Sequence, residues 1–400
     1  MIPFSPPRID QKVIDEVVDT LKSGWITTGP KTKEFERRLT AYCGNKATLA
    51  VNSNTVGLEV VLRWFGVQEG DEVIVPAYTY CATANVIVHC GAKPVMVDVN
   101  ADDFDVCLEK VREAITDKTK VIMPVDLGGM PCAYDELFEL VEAEDVKTLF
   151  QAKTEEQGKL GRILILSDSA HSIGAEYKGR KAGCLADVSV FSFHAVKNLT
   201  TAEGGAIMLN LPEPFDNEEV YRYLCTYTLH GQNKDALAKT KKGAWRYDVL
   251  VSGFKGNMTD IMAAIGLAQF ERYPKLLARR KEIIEAYDAG LKDLPVTVLS
   301  HYTDDHQSSG HLYLVRLDGR DAEYRNKVIE AMAEAGIATN VHYKPIPMHT
   351  AYKNLGFTID DYPNAYDQFK NEITLPLHTL LTDEEVQYII EIFKRIITEC

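Results

Sequence analysis

Seven short apolar runs between residues 47 and 210 constrain the fold more than any other feature of the sequence. They are rich in Val, Ile and Leu, and stretches with helical spacing separate them. Nearly continuous apolar runs are typical of strands that are buried on both faces. The runs are ATLAV, DEVIVP, KPVMVDV, KVIMPV, RILILSD, VSVFSF and GGAIMLN. We therefore predict an α/β fold with a mostly parallel central sheet, which binds ligands at the carboxyl ends of its strands.

The C-terminal part of the chain has a different pattern. Residues 258–291 predict one long helix or two, which carry the chain out of the first domain. Beyond them, two strands and two amphipathic helices predict a smaller α+β unit: VTVLS, HLYLVRL, AEYRNKVIEAMAEAG and TDEEVQYIIEIFKRI. We expect a large domain at 1–275 and a small domain at 276–400. The polar segment 144–162 predicts a loop or an extra surface helix, and the charged segment 231–248 a mobile flap.

Composition narrows the class of protein. With 400 residues, 46% of them hydrophobic, the chain can bury a sizeable core. A net charge of -14 argues against a nucleic-acid site and against attraction to an anionic membrane. We expect a cytoplasmic protein, because MIPFSPPRIDQ lacks the pattern of a signal peptide and no apolar run is long enough to span a membrane. The eight cysteines form no C-x-x-C pair and so predict neither a zinc cage nor a disulfide scaffold.

Two polar residues follow the strand RILIL. Asp168 stands at its carboxyl end, and His171 follows three residues later. In this architecture that position faces ligands, and a carboxylate near an imidazole suits proton transfer, metal binding or contact with a cofactor ring. A capping aspartate and a core histidine explain the pattern equally well.

A turn rich in hydroxyl and amide groups precedes one predicted helix. Ser53, Asn54 and Thr55 follow a strand and begin an apolar stretch at helical spacing. The free N–H groups of a helix N-terminus bind anions, although a plain helix cap has the same pattern. No Walker loop and no G-x-G-x-x-G follows a strand, which argues against ATP or a dinucleotide.

Three further residues suggest a planar ligand. Lys197, in FSFHAVKNLTTAEGG, is either a surface lysine or a nucleophile whose pKa is lowered by burial. Tyr80 can lie flat on a ring or simply pack, and Ser192 is a ligand group or a buried hydroxyl. A phosphate site, a carboxylate, an aromatic ring and a lysine together match pyridoxal 5'-phosphate (PLP).

Ordered motifs along nearly the whole chain resemble the DegT/DnrJ/StrS-type sugar-nucleotide aminotransferases. This family has the PLP-dependent transferase fold of type I. The motifs are SGWITTGPKTKEFE, GDEVIVPAYTYCATANVI, DSAHSIGA, FSFHAVKNLTTAEGG, GFKGNMTDIMAAIGLAQF, VHYKPI, YPNA and LPLHTLLTDEEV. A related branch that dehydrates sugars has histidine in place of the Schiff-base lysine, so Lys197 favours transamination.

The resemblance implies roles for individual residues. Lys197 becomes the lysine of the internal Schiff base (aldimine), and Asp168 the partner of the pyridine nitrogen. His171 lies beside the phenolic oxygen, and Tyr80 stacks on the ring. The phosphate cup is formed by Thr55, Ser192 and the amides near Asn54, and Asn257 reaches the phosphate of a neighbouring subunit. The resemblance thus implies a homodimer with active sites at the subunit interface.

Three positions depart from the family pattern. The usual Ser-Gly-Thr of the phosphate loop is SNT, and the usual H-x-Y-G appears as DLGGMP at 126–131. Ser167 replaces an acidic residue before the cofactor aspartate.

The implied reaction moves an amino group from L-glutamate to a nucleotide-linked keto sugar. The form GFKGN leans toward a 4-keto sugar, and the implied context is the biosynthesis of amino sugars or surface polysaccharides. Four residues are candidates for the substrate wall: His230, Trp245, His342 and Tyr343.

Other functions are compatible with parts of the pattern. A PLP-dependent sugar dehydratase or lyase could use the same lysine, and a PLP-binding regulator could lack turnover. A metallohydrolase would use His171, His194, His342 and His349, although no H-E-x-x-H or H-x-x-x-H helix pair supports it.

Overall fold

A computed structural model describes residues 1–233 and 246–399 of the chain. Within them, all seven predicted strands form one sheet, in the order β1 (Ala47–Val51), β9 (Gly205–Leu209), β8 (Val188–Ser192), β5 (Leu164–Asp168), β4 (Thr119–Ile122), β2 (Glu72–Pro76) and β3 (Lys93–Val97). Neighbouring strands are parallel except at β9, which runs antiparallel to β1 and β8. The prediction of a mostly parallel sheet is confirmed. Two short strands, β6 Glu176–Tyr177 and β7 Arg180–Lys181, belong to a separate small sheet.

Helices cover both faces of this sheet, as the unbroken apolar strands predict. Alternate residues of β2 pack in two different hydrophobic cores, one on each face of the sheet. Val73 and Val75 belong to one core, and Ile74 belongs to the other. The helices over this region are α1 Gln11–Ser23, α2 Pro30–Cys43, α3 Asn54–Trp64, α4 Cys81–His89, α5 Leu108–Ala114, α6 Tyr134–Glu142, α7 Glu144–Leu149, α8 Glu155–Leu160 and α9 Asn217–Tyr227.

A second unit follows, built on a separate antiparallel sheet. Two helices, not one, lead into it, α10 Asp260–Phe270 and α11 Tyr273–Leu291. The strands are β10 Val296–Val298, β11 His306–Gln307, β12 Tyr313–Leu317 and β13 Glu372–Leu375, of which β11 pairs with β6 and the others form the sheet. The helices are α12 Ala322–Glu334, α13 Thr350–Lys353, α14 Pro363–Lys370 and α15 Asp383–Glu399.

Helix α11 joins the two units. Its first turn packs Tyr273 and Leu276 into a core of the large sheet, and its later turns pack Ile283 and Tyr287 into the core of the second unit. The boundary that the sequence predicts near residue 275 falls in the first turn of this helix. We propose to keep the division at 1–275 and 276–400, because the change of core takes place within α11, although Ile2 at the start of the chain packs in the core of the second unit.

The two polar segments have different outcomes. Residues 144–162 contain the short helices α7 and α8, and Lys153 between them forms an ion pair of 2.6 Å with the buried Asp71. Most of the expected flap, 234–245, lies outside the described residues. Among the helices of the described ranges, none combines the length and apolar character needed to cross a membrane.

A buried ion pair joins β5 to β8 at the ends opposite their carboxyl ends. Arg162 donates to both carboxylate oxygens of Asp187 at 2.8 Å, and both side chains are at least 95% buried. Asp187 also accepts the backbone N–H of Ile165 on β5. These strands end at Asp168 and Ser192, so the pair fixes two strands that carry predicted site residues.

We expect Asp187→Ala to lower the free energy of unfolding by about 3 kcal/mol, because the buried guanidinium of Arg162 loses its buried partner and keeps only the half-exposed Glu142. Urea unfolding measures the change. Lys110→Ala, which removes an exposed ion pair with Glu113, is the control and should leave the midpoint unchanged. Equal midpoints for both variants would show that the buried pair does not stabilise the fold.

Candidate active site

A cavity of about 320 Å³ lies at the carboxyl ends of β1, β5 and β8. Most of the residues that the sequence predicts for the cofactor line it. Its wall consists of Ser53, Asn54, Thr55, Thr79, Tyr80, Ala82, Val125, Asp168, Ala170, His171, Ser192, His194, Val196, Lys197, Glu203, Gly204 and Tyr343.

Asp168 is the last residue of β5, and it is 5% exposed. Thr83 of α4 donates to one carboxylate oxygen at 2.8 Å, and Asn54 donates to the other at 3.1 Å. The backbone N–H of Ala170 adds a third hydrogen bond, of 3.3 Å. Burial raises the pKa of Asp168, and the three donors oppose that rise because they stabilise the ionised form. The carboxylate is therefore held in a fixed orientation at the cavity wall.

Lys197 lies in the loop after β8 and is partly buried. Burial lowers the pKa of its amine to about 8, and the negative charge of Asp168 acts in the opposite direction. An amine with this pKa is neutral far more often at neutral pH than an exposed lysine, whose pKa is about 10.4. Lys197 is thus suited to act as a nucleophile or a base.

A site for an anion lies at the start of α3. Ser53 caps this helix by accepting the N–H of Val56 at 3.1 Å, and the first N–H groups that follow have no intrahelical acceptor. Ser192 and Thr55 add hydroxyl groups to the same wall. A Cβ on Gly205 would lie 2.6 Å from the backbone nitrogen of Asn54, so glycine allows β9 to approach this turn. A phosphate fits such a turn.

The side chain of Asn54 is used within the protein. It donates to Asp168 and, at 2.7 Å, to the carbonyl of Val190. Asn54 lines the cavity, and its side chain orients the carboxylate. The asparagine of SNT therefore links the anion site to Asp168.

His171 is buried and neutral. The backbone N–H of Gly128 donates to its Nδ1 at 3.2 Å, so Nε2 carries the proton and donates to the hydroxyl of Tyr343 at 3.2 Å. Burial lowers the pKa of His171 far below its usual value. Gly128 belongs to the DLGGMP segment, so the backbone of this departure from the family pattern supports a cavity residue.

Tyr80 stands at the start of α4 and is 59% exposed. Its ring lies 5.7 Å from that of Tyr343, centroid to centroid. The exposed face of Tyr80 and its place in the cavity wall are compatible with stacking on a planar ligand.

Four predicted residues lie away from the cavity or outside the described ranges. Asn257 pairs with Val51 in a β-bridge, and its side chain donates to Thr28 at 2.5 Å. His342 lies behind Tyr343 and does not line the cavity, and His230 is exposed elsewhere. Trp245 is outside the described residues. Of the candidates for the substrate wall, Tyr343 alone faces this cavity among the residues that the structure describes.

Sequence reasoning missed Thr83. The only sequence signal is its place in the first turn of a helix that follows a strand, and this pattern is common.

Among the described residues, no group of three or more His, Cys, Asp and Glu side chains is placed to hold a metal ion.

Comparison with known proteins identifies the family of this chain. A sequence model of the DegT/DnrJ/EryC1/StrS aminotransferase family matches residues 7–394. This chain belongs to that family.

Several relatives match this chain over its whole length. The "Putative sugar aminotransferase Spr1654" of Streptococcus pneumoniae, in its PMP-form, is 54% identical with a TM-score of 0.97, and the match covers 100% of both chains. Its PLP-form is 52% identical with a TM-score of 0.95, covering 100% of this chain and 99% of the other. SpsC of Bacillus subtilis, a spore coat polysaccharide biosynthesis protein, is 35% identical, covering 99% of this chain and 97% of SpsC.

This chain is a PLP-dependent aminotransferase and has the fold of PLP aminotransferases. The predictions of fold and of enzyme class that the resemblance implies are therefore confirmed. The cavity also fits the cofactor chemically. PLP carries a phosphate, a ring nitrogen and an aldehyde, and the cavity offers an anion site, a buried carboxylate and an amine.

We expect chemical labelling of Lys197 in the cofactor-free enzyme to rise with pH around a midpoint near pH 8, because the neutral amine is the reactive form. Competitive acetylation followed by mass spectrometry measures the midpoint. Lys110 is an exposed control, and its hydrogen bond with Glu113 raises its pKa above the ordinary value of a lysine. A midpoint for Lys197 as high as that of Lys110 would contradict the effect of burial.

Proposed function

We propose that this enzyme transfers an amino group from L-glutamate to a nucleotide-linked 4-keto sugar, in the biosynthesis of amino sugars or surface polysaccharides. One observation carries the proposal: a single cavity contains a lysine of lowered pKa, a buried carboxylate and an anion site. The sugar acceptor is supported by the match with Spr1654, and the polysaccharide context by the match with SpsC. L-Glutamate and the 4-keto position rest on the resemblance of the motifs, including GFKGN.

We assign the cofactor contacts as the resemblance implies. Lys197 and Asp168 would hold the aldehyde end and the ring nitrogen of PLP, while Thr55, Ser192 and the amides near Asn54 would hold its phosphate. His171 and Tyr80 would contact the ring. When bound, PLP supplies a carbonyl that takes up the amino group and a ring that accepts electrons from the substrate carbon.

Lys197 is the proposed proton carrier. Its amine removes the proton from the α-carbon of the donor and later delivers a proton to the carbonyl carbon of the acceptor sugar. A base works best when its pKa lies near the operating pH, and burial brings that of Lys197 to about 8. Lys197 therefore serves both halves of the transfer.

Asp168 is proposed to stabilise positive charge at the far side of the ring. For this role its carboxylate must be ionised although it is buried. The hydroxyl of Thr83 and the amide of Asn54 both donate to it, and donors of this kind favour the charged form. The carboxylate thus holds a cationic N–H in place.

The neutral pair of His171 and Tyr343 forms the polar wall of the cavity between these ends. Because Nδ1 of His171 accepts from Gly128, its proton stays on Nε2. Tyr343 comes from the second unit, so a group bound beside His171 contacts both units. We propose that this wall positions the acceptor sugar.

The active unit is proposed to be a homodimer. Asn257 does not line the cavity of its own chain, and its side chain is partly buried beside Thr28. This position is compatible with a contact to the phosphate site of a second copy, as the resemblance implies.

We expect the purified enzyme to convert L-glutamate to 2-oxoglutarate only in amounts matched by an aminated nucleotide sugar, when 4-keto nucleotide sugars are supplied. Lys197→Ala should lose about 10³-fold or more of this activity, because it lacks both nucleophile and base. The same variant should give no cofactor adduct after borohydride reduction. Mass spectrometry of the reduced protein locates the adduct in the wild type.

Lys120→Ala is the control, since Lys120 is a buried lysine outside the cavity. Loss of the sugar substrate without consumption of glutamate would indicate a dehydratase or lyase. Bound PLP without turnover of any keto sugar would indicate a regulator. An adduct that persists in Lys197→Ala would refute the assignment of the lysine.

Mixed dimers test the contribution of Asn257. We expect a dimer of one Lys197→Ala chain and one Asn257→Ala chain to have one site with wild-type affinity for PLP. That site combines the lysine of one chain with the asparagine of the other. Tagged chains, purified as the mixed dimer and titrated with PLP, provide the measurement. If the functional site instead had the weakened affinity of the Asn257→Ala homodimer, or if the protein were monomeric, the proposal would be wrong.

A further inference from the structure

The N-terminal segment, residues 2–10, is attached to the second unit although it precedes the first. Ile2 is 8% exposed and belongs to the core of that unit. Its N–H donates to the carbonyl of Gly336 at 2.7 Å, and its carbonyl accepts from Ala338 at 3.0 Å. Farther along, Arg8 donates to the carbonyl of Thr379 at 2.9 Å. The segment therefore lies across the second unit before α1 begins.

The middle of this segment contacts the loop that carries Lys197. The hydroxyl of Ser5 donates to the carbonyl of Val196 at 3.2 Å. On the other side of the same peptide bond, the N–H of Lys197 donates to the carbonyl of His194 at 2.9 Å. Both polar atoms of the Val196–Lys197 peptide group are thus hydrogen-bonded. Ser5 fixes the plane of the peptide from which the lysine side chain extends.

A second connection reaches the same loop through Gln269, which is 3% exposed. Its side-chain amide donates to the carbonyl of Arg8 at 3.3 Å, and its side-chain oxygen accepts from the N–H of Thr200 at 3.2 Å. The N-terminal segment therefore supports the loop on both sides of Lys197.

The segment also contacts the small-unit wall of the cavity. The ring of Phe4 stacks on that of His342, with centroids 5.4 Å apart and planes 23° apart. His342 immediately precedes Tyr343, whose hydroxyl bonds to His171. Ser5 thus contacts the residue that precedes Lys197 in the first unit. Its neighbour Phe4 contacts the residue that precedes Tyr343 in the second unit.

We propose that the N-terminal segment is a positioning element of the active site, in which Ser5 sets the orientation of Lys197 and Phe4 sets that of the His342–Tyr343 segment. The inference rests on the role of Lys197 given under the proposed function. Neither Ser5 nor Phe4 lines the cavity, so both act through other residues. The segment links the amine in one unit to the phenol in the other.

Hydrogen exchange of the full-length enzyme tests this positioning, with and without bound PLP. We expect Ser5→Ala to speed amide exchange in peptides covering 195–201 by about fivefold, the effect of one lost hydrogen bond. Ser5→Thr keeps the hydroxyl and should restore the wild-type rate. Thr148→Ala, which removes a remote exposed hydroxyl-to-carbonyl bond within α7, should leave these peptides unchanged. Unchanged exchange in Ser5→Ala would overturn the inference.

Labelling gives a second readout that a merely structural role would not move. Freed from its fixed orientation, the amine spends more time in water, so the labelling midpoint of Lys197 should rise in Ser5→Ala and return in Ser5→Thr. Phe4→Ala should speed exchange at 341–344 but leave the labelling midpoint of Lys197 unchanged. Equal effects of both variants on both regions would contradict the separate roles of Phe4 and Ser5.

Absence of the borohydride adduct on Lys197 in the wild type refutes the proposed function. An adduct on Lys197 together with an unaltered Ser5→Ala midpoint refutes only this inference.

Discussion

The set of hydrogen bonds that holds Asp168 at the end of β5 is the constraint on which the site depends. A carboxylate that is 5% exposed resists ionisation, and no arginine or lysine forms an ion pair with it among the described residues. Hydrogen bonds from Thr83, Asn54 and Ala170 oppose this effect because they stabilise the charged form. Asn54 is also the first residue of α3, so one side chain relates the carboxylate to the anion site. Displacing the carboxylate would alter the first turn of α3 as well, so the carboxylate and this turn are kept at a fixed separation.

The layers beneath the site keep β5 in place. Behind Asp168 lies a buried group of hydroxyls around Asp126, which accepts from Tyr134 at 2.7 Å and from Ser172 at 2.5 Å. Ser167, where the family pattern has an acidic residue, bonds to Tyr134 and Ser169 in the same group. The departure at 167 thus coincides with a buried carboxylate on the adjacent segment, at 126. Burial raises the pKa of Asp126. Hydrogen bonds from Ser172, Tyr134, Ser169 and the backbone N–H of Cys132 oppose that rise.

Much of this architecture could be predicted because local patterns encode it. Unbroken Val, Ile and Leu runs predicted the central strands, and their carboxyl ends predicted where Asp168, Ser192 and Lys197 would converge. Contacts between distant segments left no such pattern. Thr83 and Asp168 are 85 positions apart, Ser5 and Val196 are 191 apart, and Gly128 reaches His171 through its backbone. A backbone donor has no residue-specific signature, and a hydroxyl in a first helical turn resembles any cap. The sequence could therefore identify the reactive groups but not the residues that orient them.

The two units supply different residues to the cavity. The large sheet supplies the charged groups, whereas the second unit supplies Tyr343 through a segment held from both sides. Tyr78 of the first unit donates to the carbonyl of His342 at 2.9 Å, and Glu372 on β13 accepts the N–H of His342 at 2.9 Å. Burial raises the pKa of Glu372 to about 8, with Thr374 and the N–H of His342 acting in the opposite direction. Tyr343 bonds to His171, whereas the hydrogen bonds to Asp168 come from Thr83, Asn54 and Ala170. The phenol of the second unit and the carboxylate of the first are thus positioned by different sets of hydrogen bonds.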